Sequence, residues 1–152
     1  VDLDLELESD LCENDGDFRP NVNTCAIWNE GTQALAAVLP RSLIELRLSF
    51  QSTICDSGLQ FLASALSECL RRLVLILLCC DVCDGGVQAL ASALPLKLTE
   101  LQISLCGCAV GDIGAKALAS ALPVQLTDLR FSVEDCPIEA APLLNMVEES
   151  VG

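Results

Sequence analysis

Hydrophobic positions along this chain switch between two periods. Over 98–103, Leu98, Leu101 and Ile103 are separated by the polar residues Thr99, Glu100 and Gln102. Apolar and polar residues in alternation predict a short strand. After Asp112 the spacing becomes helical, with Ala117, Leu118, Ala121 and Leu122 on one stripe and Pro123 behind them. A helix that stops before the proline is predicted there.

This two-part unit recurs. Residues 98–123 read LTELQISLCGCAVGDIGAKALASALP, 70–95 read LRRLVLILLCCDVCDGGVQALASALP, and 43–66 read LIELRLSFQSTICDSGLQFLASAL. LTDLRF at 126–131 begins another copy. The strand anchors Leu46, Leu73, Leu101 and Leu129 lie 27, 28 and 28 residues apart, and the helix anchors Leu35, Leu62, Leu90 and Leu118 keep the same steps. The pattern predicts strands near 44–48, 72–76, 100–104 and 128–132. Helices are predicted near 30–39, 57–66, 85–94 and 113–122, starting at Asn29, Asp56, Asp84 and Asp112, with the three aspartates as N-caps. Gly58, Gly86 and Gly114 recur in the first helical turn, where glycine is unfavourable, and close packing of helix on sheet is the expected reason.

One strand and one helix cannot bury their own apolar faces, whereas stacked copies can. The fold class is therefore an α/β solenoid of about five repeats, with a parallel strand and a helix in each. It forms a single domain over 1–152: an acidic N-terminal cap with an insertion over 1–28, regular repeats over 29–125, and a C-terminal cap over 126–152. In VDLDLELE, Leu5 and Leu7 are the expected inward pair of a first strand, with Glu6 beside Arg47. Its alternating acids guard a sheet edge. The insertion falls within ESDLCENDGDFRPNVN. Pro137 and Pro142 predict only a short last helix.

The pattern LxxLxLxxCxL, met by Leu98, Leu101, Ile103, Cys106 and Cys108, resembles the ribonuclease-inhibitor-like class of leucine-rich repeats. The resemblance covers residues 29–136 and rests also on the 28-residue step and the GDIGAKALASALP helix. The same class is similar to repeat domains of innate-immune receptors and of a GTPase-activating protein. Gln51, Leu78 and Glu134 stand where the pattern has Asn or Cys. The resemblance implies a curved sheet that binds macromolecules on its concave side, and a shared fold of this kind does not select one function.

Charge and cysteine narrow the function. The chain has 22 acids, 8 bases and no histidine, a net −14. That charge repels phosphate backbones and anionic membrane surfaces, so no nucleic-acid partner is expected; its simplest role is solubility. The longest apolar run, Leu73 to Cys80, is far below the ~20 residues of a membrane span, so no membrane insertion is expected. Several of the ten cysteines occupy repeating apolar positions, where cysteine acts as a small hydrophobe. A reducing, intracellular compartment follows, the cytoplasm favoured.

No catalytic constellation is present, and the commonest general base is missing. The chain is read as no enzyme. Cys80 and Cys83, with Cys106 and Cys108, are candidate zinc ligands. Against zinc, Cys12, Cys80, Cys108 and Cys136 share one inward repeat position, which predicts a buried ladder. ENDGD does not match a calcium loop. No metal and no cofactor are expected.

The binding candidates are the outward residues of the strands. Glu45, Arg72, Glu100 and Asp128 form one row, with Arg72 expected between the two glutamates. Arg47, Val74, Gln102 and Arg130 form a second, and Ser49, Ile76, Ser104 and Ser132 a third. Val74 and Ile76 are aliphatics among polar neighbours, an apolar centre with a rim of Arg47, Arg72 and Gln102. The expected partner is another protein, alone or within a larger complex. Alternatives are an enzyme inhibitor, a GTPase regulator and a structural subunit.

Overall fold

The computed structural model describes residues 2–7, 22–52 and 54–138, with the side chains of 4–7 and 22–28 excepted. Among the described residues, five parallel strands alternate with four helices: β1 (Asp2–Leu7), α1 (Val22–Val38), β2 (Glu45–Gln51), α2 (Asp56–Ala65), β3 (Arg72–Leu78), α3 (Asp84–Ser92), β4 (Glu100–Ser104), α4 (Asp112–Ser120) and β5 (Asp128–Ser132). The strands lie in one sheet in chain order, and each helix packs on the next. This is an α/β repeat solenoid.

The inward residues make the core. Leu46, Leu73 and Leu101 are paired across neighbouring strands and are each about 1% exposed. The second inward row, Leu48, Leu75 and Ile103, is equally closed. Leu62, Leu90 and Leu118 cover the sheet from the helical side. At the last strand the closure weakens, and Leu129 and Phe131 are only half-buried. The chain leaves β2, β3, β4 and β5 through left-handed residues: Ser52, Cys79, Gly107 and Asp135 have φ of 55°, 51°, 68° and 58°. Only the glycine adopts that conformation without strain.

Three expectations need correction. α1 begins at Val22, two turns before Asn29. No glycine or proline lies between Asn21 and Glu30, so nothing stops the helix from extending that way. The register of β1 is also shifted: Leu3 and Leu5, not Leu5 and Leu7, pair with Leu46 and Leu48, and Asp4, not Glu6, stands opposite Arg47.

The third correction concerns the helix caps. Cys55, Cys83 and Gly111 are the N-caps, none with a side-chain capping bond, and Asp56, Asp84 and Asp112 are the first helical residues. Asp56 and Asp84 instead reach the following repeat. Asp84 Oδ1 accepts hydrogen bonds from the backbone N–H of Gly111 and Gly114, both 2.8 Å. Asp56 Oδ1 accepts from the N–H of Cys83 at 2.8 Å. α3 and α4 are thus each capped by the preceding helix, which satisfies donors that a helix leaves open at its start. The glycines follow from this. A Cβ on Gly86 would lie 2.5 Å from Asp56 Oδ1, and one on Gly114 would lie 2.7 Å from Asp84 Oδ1. The close approach is helix to helix, through the carboxylate, rather than helix to sheet alone.

Of the stretch 8–23 expected to hold the insertion, Val22 and Asn23 belong to α1 and 8–21 lies outside the described residues, as do Cys12, the ENDGD stretch and the last helix.

Candidate functional site

Period-two alternation sends one set of strand side chains to the core and the other to the outer face of the sheet. Register then aligns the outward set into rows. Glu45, Arg72, Glu100 and Asp128 are consecutive lateral neighbours. So are Arg47, Val74, Gln102 and Arg130, and likewise Ser49, Ile76, Ser104 and Ser132.

Arg72 sits between the two glutamates. Its Nε and Nη2 donate to Glu100 Oε2 and Oε1 at 2.6 and 2.8 Å, and its Nη1 donates to Glu45 Oε2 at 3.2 Å. The two-pronged contact with Glu100 fits the fork of a guanidinium to the plane of a carboxylate. That hydrogen bond, opposed by partial burial and helped by the charges of Arg72, Arg130 and Arg47, holds the Glu100 carboxyl below its ordinary pKa. Arg72 is held correspondingly high, chiefly by the same bond.

Beside this pair lies an open cavity of about 210 Å³, lined in part by Arg47, Arg72, Val74, Glu100, Gln102 and Arg130. Four of the five predicted residues, Arg47, Arg72, Val74 and Gln102, therefore border one depression. Ile76 lies outside it, two residues further along β3. Ile76 is half-buried, as are Val74 and Leu78. Leu78 makes the aliphatic set a ridge of three, one more than the pair expected from the sequence. Its signal is present there, since Leu78 departs from the Asn or Cys of the repeat pattern. Arg130, Glu100 and Asp128 also belong to the cavity wall, beyond their places in the rows.

The cysteines sort by the face they occupy. Cys80 and Cys108 are buried, with Sγ donating to the carbonyls of Phe50 and Leu77 at 3.5 and 3.6 Å. Cys136, half-buried, donates to Leu105 O at 2.7 Å. All three are free thiols. Burial pushes the Cys108 thiol up to about 12. Cys106 instead lies beside the outward residues Ser104 and Ser132. Among the described residues, no three metal-ligating side chains converge.

Two thiols at equivalent helix starts carry opposite perturbations. Burial alone would raise Cys55, but hydrogen bonds with Ser57 and Asn29 outweigh it, and its pKa is lowered. Cys83 donates to Asp56 Oδ2 at 3.2 Å; that bond, then burial, then the acidic charges around it push it up to about 11. Two changes separate them: Ser57 against Gly85 beside the thiol, and Asn29 against Asp56 in the capping row. We expect iodoacetamide at about pH 8 to modify Cys55 before the more exposed Cys83. Asp56→Asn should narrow the gap without closing it, because Cys83 has Gly85 where Cys55 has Ser57. Peptide mapping of the alkylated chain reads this directly, and faster labelling of Cys83 in the wild type would refute it.

No helix among the described residues is long and apolar enough to cross a membrane. Comparison with known protein families and with curated proteins returns no match.

Proposed function

We propose that this chain is a leucine-rich-repeat protein of the ribonuclease-inhibitor-like class, and that its concave sheet docks a protein partner. The repeat reading is supported by the 27- and 28-residue steps, the inward leucines and the strand-then-helix order within each unit. The reading assigns the chain binding rather than catalysis.

The docking proposal rests on one observation: Val74, Ile76 and Leu78 stand outward in line on β3, flanked by Arg47, Ser49 and Gln51 on β2 and by Gln102 and Ser104 on β4. An apolar centre with a polar rim is the common anatomy of a protein interface. A single exposed aliphatic would carry no such meaning. Three along one strand leave a stripe that water solvates poorly.

The test compares two charge substitutions on partner binding. Ile76→Asp places an unpaired charge in a desolvated contact, which costs several kcal/mol, or more than ~100-fold in Kd. The fold should survive, because the side chain points away from the core. Lys116→Asp, on the exposed face of α4, should leave affinity within about twofold, as rim charges do. A partner retained from cell extract by the wild-type chain is titrated against both variants. Normal binding by Ile76→Asp with loss in Lys116→Asp would move the partner to the helices.

A further inference from the structure

The outward side chains of the sheet divide into two bands. The first residues of β2 to β5, Glu45, Arg72, Glu100 and Asp128, are charged and already engaged. Arg72 is held by Glu45 and Glu100. Arg130 Nε and Nη2 donate to Asp128 Oδ1 and Oδ2 at 3.4 and 3.3 Å. Further along the strands, past Arg47 at one corner, the face of β2, β3 and β4 carries no charge. Ser49 and Gln51 stand on β2, and Gln102 and Ser104 on β4. Val74, Ile76 and Leu78 run between them on β3. All of these are half-buried, so a side chain laid over them is itself withdrawn from water.

That neutrality decides what can cover the band. A carboxylate or an ammonium placed there would lose hydration and meet no free opposite charge, since Arg72, Glu100, Asp128 and Arg130 have their partners. An aliphatic side chain carries no such penalty and takes the apolar stripe out of water. Complementary potentials across an interface therefore call for an uncharged partner face. Dimensions set its form. β2 and β4 lie two strand spacings, ~9.6 Å, apart, close to the ~10–12 Å width of a helix with its side chains. Val74 to Leu78 spans ~13 Å along the strand, about two and a half helical turns of ~5.4 Å.

We propose that the outward face of β2, β3 and β4 docks a helix of its protein partner whose contacting side is aliphatic and uncharged, with hydroxyl or amide side chains toward Ser49, Gln102 and Ser104. This rests on the docking reading above and adds the chemistry of the segment that docks. Selection works by exclusion: a helix with either sign of charge on that side leaves the charge desolvated and unpaired. The net charge of −14 lies outside this band and does not enter the contact.

The probes are three synthetic helical peptides with leucines at i, i+4 and i+7. They differ only at i+3, on the same side, which is Gln, Glu or Lys. Each is titrated into the isotope-labelled full chain and followed by NMR. The Gln peptide should bind at least about tenfold tighter than either of the others, because their charge is desolvated without a partner. It should shift the methyl signals of Val74, Ile76 and Leu78. The double variant Ser49→Lys/Ser104→Lys sets a cation on each flank of the stripe and leaves the core untouched. With it the Glu peptide should become the tightest binder, the circular dichroism being unchanged. Equal or tighter binding of the Glu or Lys peptide by the wild-type chain at the same methyls overturns the uncharged helix and leaves the docking face standing. So does an unchanged order of affinities in the double variant. No binding of any of the three at millimolar concentration overturns the helix assignment alone, because Ile76→Asp is read on the natural partner. Shifts confined to α2, α3 and α4 overturn both readings.

Discussion

Gly114→Ala should destabilise the protein by about 1–3 kcal/mol, although alanine is the better helix former. The added Cβ would lie 2.7 Å from Asp84 Oδ1, 3.1 Å from Asp84 Cα and 3.2 Å from Val110 Cγ1. Helix propensity favours alanine by ~1 kcal/mol. Against it stand an overpacking cost of ~1–3 kcal/mol and a lost cap of ~0.5–2 kcal/mol, because the carboxylate that must move is the one holding Gly111 and Gly114. Rotating that carboxylate away would not relieve the contact with the Asp84 backbone. Gly31→Ala is the matched control: Gly31 lies in α1, and a Cβ added there would meet nothing within 4 Å. There the propensity gain should appear alone, and stability should rise by up to ~1 kcal/mol. The double variant Asp84→Ala/Gly114→Ala should cost less than the two single changes added together, since both disturb one contact. Urea denaturation followed by circular dichroism measures all of them. If both glycine variants stabilise alike, the capping contact carries no weight.

Leu101→Ala should cost about 2–5 kcal/mol, the range for removing a fully enclosed leucine. Leu101 is 1% exposed and lies between Leu73 and Leu129 in the innermost row. The same substitution at Leu129, its lateral neighbour on the half-covered last strand, should cost clearly less, because part of that side chain already meets water. In a solenoid each unit leans only on its neighbours, so stability is distributed unevenly along the axis. Denaturation midpoints of the two variants compare the sites, and equal losses would refute the gradient.

The strands and the core are legible in the sequence because alternation and repeat length bear on the same residues. Leu46, Leu73 and Leu101 announce themselves by spacing, and their burial follows. The pairing of Arg72 with Glu45 and Glu100 is legible for the same reason, since register converts equal repeat positions into neighbours. The start of α1 is not. Asn29 looks like a cap by type and by repeat position, yet the preceding residues are also compatible with helix. The role of Asp56 and Asp84 is hidden because capping rules are local, whereas here the accepting carboxylate lies 27 or 30 residues before the N–H it takes. Leu78 is legible only as a departure from the repeat pattern, at a position that the three outward rows do not include. The shift of β1 by two residues is hidden too: VDLDLELE repeats every two residues, so moving by two leaves its alternation unchanged.

The capping contacts run in one direction. The carboxylate belongs to the earlier repeat and the N–H groups to the later one. A ribosome delivers the chain in that same order, at about 5–20 residues per second. Asp56 is therefore available before Cys83 emerges, and Asp84 before Gly111 and Gly114. The acceptor thus precedes the N–H groups it takes, that of Cys83 just before α3 and those of Gly111 and Gly114 at the start of α4. A chain built in the opposite sense would present each of these helix starts to water until its acceptor arrived. The polarity of translation and the polarity of this ladder coincide.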